Sequence, residues 1–460
     1  MNILEKSSRG EETIVAIATP LGQGAISLIR LSGMGAFEVL AKTFFPLGKK
    51  GRALSDRTAV LGLLRDEKGQ QVDEVLVTVF EGPRSYTGED VAEISCHGGI
   101  LVTQKVLEAL LAAGARAANP GEFSQRAFLN GKMDLTQAEA VMDLISAQTD
   151  LALRAASEQL AGVLGERLME LRAELLSLVA QVEAYIDFPD EDIDPETGEL
   201  MLQRVVKNHQ VVQSLLSTAD QGRILREGAR VVIYGAPNVG KSSLLNWLLG
   251  FDRAIVSDVA GTTRDTLEEV INLRGIPLRL VDTAGVHRSQ DAIEQQGIER
   301  TRLQVKNADL ILRVVDGSEA KGAEGLVEQQ EEGRHLLILN KSDLGQHSDW
   351  DDDDGIRISC TENQGIAALE DAIFDSLAAE GEGWGGSLVA INSRHKDCLK
   401  RASADLLAAE NGLNPAGGGA MPEITAMELR SALDHVGQIV GQVDAEEVLG
   451  EIFSSFCIGK

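Results

Sequence analysis

The sequence predicts a multidomain protein in which an α/β P-loop domain is inserted into an all-α helical domain that follows an N-terminal α+β domain. Three observations lead to this prediction: a phosphate-binding loop in mid-chain, strand-like segments before residue 121, and helix-rich segments on both sides of the P-loop region. The predicted bounds are 1–121 for the α+β domain, 122–221 and 381–460 for the two parts of the helical domain, and 222–380 for the P-loop domain.

The composition is that of a globular protein, and 460 residues leave room for about three domains. The net charge of −28 argues against a protein that coats nucleic acid by bulk electrostatics, although a local basic face remains compatible with it. Residues 1–12 are polar and charged, and no later apolar run is long enough to span a bilayer, so we expect a cytoplasmic protein with no membrane partner. Neither disulfide nor zinc-ligand spacing relates the four cysteines, Cys96, Cys360, Cys398 and Cys457.

The N-terminal region alternates short β-rich segments with helices. Alternating or β-branched patterns predict strands over 13–18, 25–30, 74–80 and 91–96, and residues 99–113 have the spacing of an amphipathic helix. Together they predict an α+β domain.

After residue 122 the pattern becomes helical. Residues 136–178 and 200–219 are rich in helix formers, and an acidic turn with two prolines separates them. Residues 222–228 are predicted to be a short link into the P-loop domain. A glycine-rich linker, 381–386, then leads to a last helical segment, 391–458, with a glycine-rich loop at 411–420. Within the P-loop domain, the acidic run 349–354 is interpreted as a solvated loop.

The P-loop pattern is Gly235, four residues, then Gly240-Lys241-Ser242. A β-branched strand, 231–234, precedes it and an apolar helix follows it, which is the context that this motif requires. The glycines let backbone N–H groups turn toward phosphates, and the start of the helix adds partial positive charge. Lys241 is expected at the β- and γ-phosphates and Ser242 at Mg²⁺; the alternative is a chance glycine loop.

Later segments specify the base. Strand 336–339 leads into Asn340-Lys341-Ser342-Asp343, where a carboxylate can accept hydrogen bonds from N1–H and the 2-amino group of guanine. Adenine offers neither donor there, so the predicted base is guanine. Ser359-Cys360-Thr361, after strand 356–358, is a weaker element that is expected to pack against the base.

Two further segments are expected at the metal and the γ-phosphate. Asp282 ends an apolar strand, 278–281, and is expected near the metal, with the Gly285 amide near the γ-phosphate. A threonine hydroxyl in Gly261-Thr262-Thr263 can complete the Mg²⁺ shell only when the γ-phosphate is present. The sequence therefore predicts a GTP-binding, Mg²⁺-dependent switch domain. Its predicted nucleotide contacts are Asn238, Val239, Gly240, Lys241, Ser242, Ser243, Ser257, Asp258, Val259, Ala260, Gly261, Thr262, Thr263, Asp282, Thr283, Ala284, Gly285, Asn340, Lys341, Ser342, Asp343, Ser359, Cys360 and Thr361.

Over essentially its full length the chain resembles the MnmE (TrmE) family of tRNA modification GTPases. The segments that carry the resemblance are Thr13-Ile-Val-Ala-Ile-Ala-Thr-Pro20, Tyr86-Thr-Gly-Glu-Asp90, His97-Gly-Gly99, 120–132, Ile186-Asp-Phe-Pro-Asp-Glu191 and 452–460. The terminal Cys457-Ile458-Gly459-Lys460 is specific when it accompanies a mid-chain P-loop, because generic GTPases lack it.

The resemblance implies an N-terminal domain that forms a homodimer and binds 5-formyl-tetrahydrofolate as a one-carbon donor. It also implies a heterotetramer with an FAD-dependent MnmG-type partner, which places an aminomethyl or carboxymethylaminomethyl group on C5 of the wobble uridine of tRNA. By motif position the folate contacts carry over to Arg30, Glu93, Lys132 and Lys460. The cations suit the glutamate tail of a folate, and the carboxylate suits the N–H and amino donors of its pterin. Without the resemblance, Arg30 and Glu93 would be interpreted as surface salt-bridge partners. Cys457 carries over as a reactive thiol, or it is a buried small hydrophobe.

For the P-loop domain the resemblance implies activation by K⁺ and by face-to-face dimerisation of GTP domains. A monovalent cation between phosphate oxygens can supply the charge that an arginine finger supplies elsewhere. The implied metal contacts are Asn238, Ser257, Val259 and Thr262 for K⁺, and Ser242 and Thr263 for Mg²⁺. Asn238 is alternatively a turn residue after Pro237.

One catalytic position departs from the family pattern. Where the family has a glutamate, this sequence has Arg288, which can neither act as a general base nor orient water as an anionic acceptor. Either hydrolysis is slow, or Glu294 or a shifted loop positions the water, or the chemistry relies on the cation alone. Cys360 stands where alanine is usual.

Three functions are compatible with these residues. The first is a GTP-hydrolysing enzyme subunit of a tRNA-modifying complex. The second is a non-catalytic GTP switch that regulates ribosome assembly or another partner, and the third is a stand-alone folate aminomethyltransferase with a passenger GTPase. The folate-like N-terminal domain and the Cys457 tail favour the first, and the third leaves the insertion of the GTP domain unexplained.

Overall fold

The computed structural model describes residues 12–47, 54–187, 198–250, 268–282, 304–321, 334–378, 390–413 and 422–441, together with residues 384, 449, 452, 453, 456 and 459. The chain divides into two units. The first unit combines Met1–Met142 with Val440–Lys460, and the second is Asp143–Ile439. The second unit is thus an insertion in the first.

The first unit is built on a mixed sheet. Its strands are Ile14–Ile17 (β1), Ile26–Ser32 (β2), Phe44–Pro46 (β3), Ala59–Arg65 (β4), Gln71–Phe80 (β5), Val91–His97 (β6) and Arg116–Ala117 (β7). Within the described residues they lie in the order β3-β4-β5-β6-β2-β1-β7. Neighbours are antiparallel except for the parallel pair β1 and β7. The four strands predicted here are confirmed, and β3, β4 and β7 are additional.

Strand alternation places the hydrophobic core on one face of this sheet. Ile29, Leu31 and Ile94 are fully buried there and pack with two helices, Ala36–Thr43 (α1) and Ile100–Ala112 (α2). Helix α2 confirms the amphipathic helix predicted from the sequence. The other face carries Leu61 and Leu76, which are register partners and are 46% and 43% exposed.

Most of the described residues in 122–227 lie in helices: Glu122–Leu129 (α3), Leu135–Ser146 (α4), Asp150–Leu160 (α5), Val163–Asp187 (α6), Gly198–Ser217 (α7) and Ala219–Glu227 (α8). The predicted helical stretch 136–178 is therefore interrupted twice. The Thr149 side chain caps α5 by accepting from the Ala152 amide at 3.3 Å, and Gly162, at φ +94°, lies between α5 and α6.

The predicted link over 222–228 was wrong, because most of it belongs to α8. Ile224 and Leu225 are buried in the core of the second unit, so the helix has an apolar face to bury. Gly222 lies within this helix, and it packs so closely on the chain before Ser393 that a Cβ there would lie 2.7 Å from the Ile391 amide nitrogen.

The second unit contains the P-loop sheet. Its strands are Ala229–Tyr234 (β8), Glu268–Leu273 (β9), Ile276–Asp282 (β10), Leu310–Asp316 (β11), His335–Asn340 (β12) and Ile356–Arg357 (β13). The order among described residues is β13-β12-β11-β8-β10-β9, and all neighbours are parallel except β9 and β10. The predicted strands before the P-loop, at Asp282 and at Asn340 are confirmed. Helices Lys241–Leu248 (α9) and Ile366–Leu377 (α10) accompany the sheet.

Helices from before and after this sheet pack together. Ser393–Leu413 (α11) lies along α7, where His209 contacts Ser403 and Glu410, and Pro422–Val440 (α12) follows α11. Helix α5 also reaches the sheet, because Leu151 packs on Gly275 between β9 and β10. The P-loop domain is therefore inserted into the helical domain.

The last described residues complete the first unit. Phe453 and Phe456 are buried with Leu135 and Ala138 of α4. Gly459, at φ +99°, lies so close to β1 that a Cβ would be 2.4 Å from the Ile17 carbonyl oxygen.

The acidic run 349–354 is mostly solvated, as predicted. Its exception is Trp350, which is 3% exposed and donates from Nε1 to the Glu319 carbonyl at 2.8 Å. None of the helices in the described part of the chain combines the length and the apolar character needed to cross a membrane.

Candidate functional site

The P-loop joins β8 to α9 and depends on two glycines. Gly240, at φ +101°, precedes α9, and a Cβ there would lie 2.1 Å from Asn340 Nδ2. A Cβ on Gly235 would lie 2.1 Å from the Val314 carbonyl oxygen. Any side chain at either position would push the loop away from the neighbouring strands, which explains why the motif needs glycine here.

The polar groups of the P-loop converge on the start of α9. Lys241 is largely buried and donates from Nζ to the carbonyl oxygens of Gly235 and Ala236, at 2.9 and 2.7 Å. Asn238, at φ +66°, and Ser242 are exposed. The loop thus combines a helix N-terminus with an adjacent ammonium group, an arrangement suited to an anionic phosphate.

The loop that is predicted to recognise the base follows β12. Asp343 is exposed, and its Oδ1 accepts a 2.6 Å hydrogen bond from the hydroxyl of the fully buried Ser359. The Ser342 amide donates to the Ile358 carbonyl at 3.1 Å, which joins the two loops. The carboxylate is therefore held in one direction while it stays open to a guanine base. The sequence did not reveal this role of Ser359.

Asn340 connects the base loop to the P-loop. It is 3% exposed, and its Nδ2 donates to the Val239 carbonyl at 2.8 Å. Its Oδ1 accepts from the Cys360 amide at 3.4 Å. The three predicted segments are thus brought together by one side chain. Burial raises the pKa of the Cys360 thiol.

Lys341 has a partner that sequence reasoning missed. Its Nζ lies 2.6 Å from Oδ2 of Asp316 at the end of β11, and Ser318 donates to Oδ1 of the same carboxylate. Burial alone would raise the pKa of Asp316, but the hydrogen bonds from Lys341 and Ser318 outweigh it and hold this pKa below its ordinary range. The available signal was an aspartate directly after an apolar strand, as at Asp282.

Several predicted contacts lie outside the described residues: Ser257, Asp258, Val259, Ala260, Gly261, Thr262, Thr263, Thr283, Ala284, Gly285, Arg288, Glu294, Cys457 and Lys460. Asp282 ends β10, which lies next to the P-loop strand β8 and runs parallel to it. The metal contacts inferred for these residues stay predictions.

In the first unit Arg30 and Glu93 are register partners on β2 and β6. Arg30 donates from Nε and Nη2 to Glu93 Oε1 at 3.1 and 2.8 Å, and the two side chains are 13% and 25% exposed. The guanidinium carbon lies 5.0 Å from the centre of the Tyr86 ring and 5.8 Å from that of Phe123. Arg30 Nη1 is buried and has no hydrogen-bond partner in the described part of the chain.

The loop between β5 and β6 contacts both Arg30 and Lys132. Tyr86 supplies the ring beside Arg30, and the Pro83 carbonyl accepts from Lys132 Nζ at 3.0 Å. The Tyr86 hydroxyl is 2.8 Å from that of Ser124 on α3, which fixes the ring. One loop therefore relates two of the four predicted folate contacts.

An ion-pair network, largely buried except at Arg116, joins Glu89 of this loop to α3. Arg126 on α3 donates to Glu89 Oε2 and to Glu122 Oε1, both at 3.0 Å, and Arg116 pairs with Glu122 at 2.7 Å. Burial alone would raise the pKa of Glu122, but the hydrogen bonds from Arg116, the Asn119 amide and Arg126 lower it overall.

Two family models match the chain: "GTP-binding protein TrmE N-terminus" over residues 13–132 and "MnmE helical domain" over residues 135–457. Three similar curated proteins are each named tRNA modification GTPase MnmE. That of Akkermansia muciniphila is 53% identical and covers 98% of this chain and 99% of its own length. Those of Aquifex aeolicus and Levilactobacillus brevis are 44% and 43% identical, each over 98% of this chain and over 100% and 98% of their own lengths.

Proposed function

Because the chain belongs to the MnmE (TrmE) family of tRNA modification GTPases, we propose that it is the GTP-hydrolysing subunit of a complex that modifies C5 of the wobble uridine. The chain is a GTPase that acts in tRNA modification. The finer proposal is that an aminomethyl or carboxymethylaminomethyl group is added, with 5-formyl-tetrahydrofolate as one-carbon donor and an FAD-dependent partner.

The observation that carries the one-carbon proposal is the buried, unpartnered Arg30 Nη1 in the described residues. A buried cationic donor without an acceptor is costly, and an anionic or carbonyl group of a ligand would satisfy it. Glu93 is an acceptor suited to the N–H and amino donors of a pterin, and Tyr86 and Phe123 supply flat apolar surface. These residues fit a folate, and bound folate would supply the carbon unit.

Guanine recognition is proposed to rest on Asp343, whose direction Ser359 fixes. Lys241 would hold the β- and γ-phosphates, and Ser242, with Thr263, would hold Mg²⁺, which neutralises phosphate charge. The exposed Asn238 amide, with Ser257, Val259 and Thr262, would hold K⁺. Neutral oxygen donors of this kind suit a monovalent cation.

We also propose a cytoplasmic homodimer through the first unit, in a heterotetramer with the FAD-dependent partner. The exposed register pair Leu61 and Leu76 supports the homodimer, because covering apolar side chains on an open sheet face with a second surface stabilises the assembly.

The first experiment measures GTP hydrolysis by the full-length chain in KCl and in NaCl at equal ionic strength. We expect at least about tenfold stimulation by K⁺. Asn238→Gly tolerates φ +66° but lacks the amide, so it should bind GTP and lose the stimulation. If it keeps the stimulation, Asn238 is a turn residue and the cation site is wrong.

Arg288→Glu tests the departure from the family pattern in the same assay. If the natural chain hydrolyses GTP well, another group positions the water. If hydrolysis stays at background in both salts and Arg288→Glu restores it, the natural chain is a GTP-bound switch, and the enzymatic proposal fails.

Folate binding is tested by calorimetric titration of 5-formyl-tetrahydrofolate. Arg30→Ala should weaken binding by about a hundredfold, since a buried charged hydrogen bond is lost. Arg65→Ala is the matched control, because Arg65 stacks on Phe45, with its guanidinium carbon 4.8 Å from the ring centre, elsewhere on the same sheet. Equal affinities for the two variants would exclude this site.

The tRNA reaction is tested by nucleoside analysis of tRNA from a deletion strain. Complementation with the natural chain should restore the modified wobble uridine, and complementation with Arg30→Ala should not. If the modification persists in the deletion strain itself, the proposed reaction is wrong and regulation of another partner becomes the better explanation.

A further inference from the structure

Asp316 occupies a special position at the carboxyl edge of the P-loop sheet. It ends β11, and in the parallel register it lies beside Asn340, the first residue of the base-recognition motif. The Gly317 amide donates to the Asn340 carbonyl at 2.9 Å, and the His347 amide donates to the Gly317 carbonyl at 2.9 Å. The backbone after Asp316 is thus joined to both ends of the base loop.

Both carboxylate oxygens of Asp316 are engaged. Oδ2 lies 2.6 Å from Lys341 Nζ, and Oδ1 accepts from the Ser318 hydroxyl and amide at 2.6 and 3.0 Å. The Asp316 side chain is 9% exposed, whereas that of Lys341 is 33% exposed. A buried, fully hydrogen-bonded carboxylate therefore anchors the end of a partly exposed lysine.

Lys341 needs such an anchor because of its backbone. It adopts φ +65° and ψ +34°, a left-handed conformation that residues other than glycine adopt only at an energetic cost. It directly precedes the 3₁₀ turn Ser342–Leu344, which carries Asp343. The direction of the guanine-binding carboxylate therefore depends on the conformation of Lys341.

We propose that Asp316 is a positioning residue for guanine nucleotides, which anchors Lys341 Nζ and so holds the left-handed turn that presents Asp343 to the base. The inference rests on the guanine-nucleotide site proposed above. Ser359 fixes Asp343 from the β13 side and Asn340 fixes the loop to the P-loop, so Asp316 is the third support, on the β11 side.

Loss of this support should release the nucleotide faster. GDP and GTP should be affected alike, because the anchor acts on the base loop that both nucleotides share. The KM for GTP should rise while kcat changes little, since Asp316 pairs with the base loop and not with the P-loop.

The test is dissociation of a fluorescent GDP analogue from the full-length chain, measured by stopped flow. Asp316→Asn should raise the dissociation rate by about tenfold. Asp353→Asn is the matched control: it neutralises a carboxylate that pairs at the same 2.6 Å distance with Lys321 and not with Lys341, and it should leave the rate unchanged. In the Lys341→Met background, Asp316→Asn should add less than about twofold, because nothing is left to anchor.

A wild-type dissociation rate in Asp316→Asn would overturn the proposal, and so would a full tenfold effect in the Lys341→Met background. Should Asp316→Asn fail to fold, Ser318→Ala removes a hydroxyl that donates to the same carboxylate and must itself show faster release. If the natural chain does not bind the GDP analogue, the proposed guanine site fails and this inference with it. If it binds and Asp316→Asn behaves like wild type, only this inference fails.

Discussion

The buried hydroxyl of Ser359 lies 2.6 Å from Asp343 Oδ1, so a residue that follows β13 directs the carboxylate that follows β12. The Ser359 oxygen also accepts from the Glu362 amide at 3.1 Å, which fixes the hydroxyl itself. The base recognition proposed for Asp343 therefore depends on both loops.

Asp343→Asn should change the preferred base of the bound nucleotide from guanine to xanthine. The new amide donates a hydrogen bond where the carboxylate accepted one, and xanthine has an oxygen in place of the 2-amino group of guanine. We expect GTP affinity to fall by about a hundredfold or more while XTP binding improves, as measured by competition with a fluorescent nucleotide. Ser359→Ala serves as control, because it should weaken GTP binding without changing the preferred base. Retention of the GTP preference by Asp343→Asn would remove Asp343 from the site.

Gly240→Ala should abolish nucleotide binding. The added Cβ would lie 2.1 Å from Asn340 Nδ2 at a φ of +101°, so the P-loop must separate from the base loop. Titration with a fluorescent GDP analogue measures the loss. Gly69→Ala is the matched control, since its φ is +77° with no atom within 4 Å of the added Cβ. It should cost about 1 kcal/mol of stability and leave binding intact. Normal binding by Gly240→Ala would contradict the description of the loop.

Glu122→Gln should destabilise the first unit in a pH-dependent way. The folded-state pKa of Glu122 is lowered, so its stabilising contribution is fully present above its ordinary value of 4.5 and is lost as the pH falls through the lower folded pKa. At pH 7 we expect a loss of about 3 kcal/mol, because two arginines lose a buried partner. Urea unfolding of both proteins from pH 7 to pH 3 should show the difference narrowing below about 4.5. A difference that stays constant would show that the charge of Glu122 is unimportant.

Phe453→Ala should weaken the first unit by about 3 to 5 kcal/mol, because the side chain is 2% exposed and packs on Leu135 and Phe456. Limited proteolysis, read by mass spectrometry, should show earlier cleavage within residues 12–142. Met427→Ala, at an exposed position of α12, is the control and should leave the cleavage unchanged. Equal protection of both variants would mean that the late residues contribute little to this unit.

The sequence allowed prediction of those parts of the fold in which chemistry restricts the residue choice. The P-loop glycines and Asn340-Lys341-Ser342-Asp343 are recognisable because few residues can perform their roles, and the strands before them are short apolar runs. Strand β11 was not predicted, since Arg313 interrupts its apolar run. Helix α8 was not predicted, because Gly222 and four charged residues leave only Ile224 and Leu225 as an apolar pair, which is too short to show a helical pattern.

Contacts between distant segments could not be predicted. The pairing of Arg30 with Glu93 follows from strand register, and that of Asp316 with Lys341 follows from the alignment of two parallel strands. Neither relationship leaves a periodic pattern in the sequence. The resemblance identified Arg30 and Glu93 as folate contacts. Only the structure shows that the two form an ion pair and that Arg30 Nη1 has no hydrogen-bond partner among the described residues.

The insertion of the second unit into the first has a consequence for synthesis of the chain on the ribosome. The first unit gains Phe453 and Phe456 only after the whole second unit has been made, about 300 residues later than Met142. At a synthesis rate of roughly 5 to 20 residues per second, the apolar surface around Leu135 stays uncovered for about 15 to 60 s. Transiently exposed apolar surface of this kind is prone to aggregation, so this part of the first unit is most exposed to it during translation.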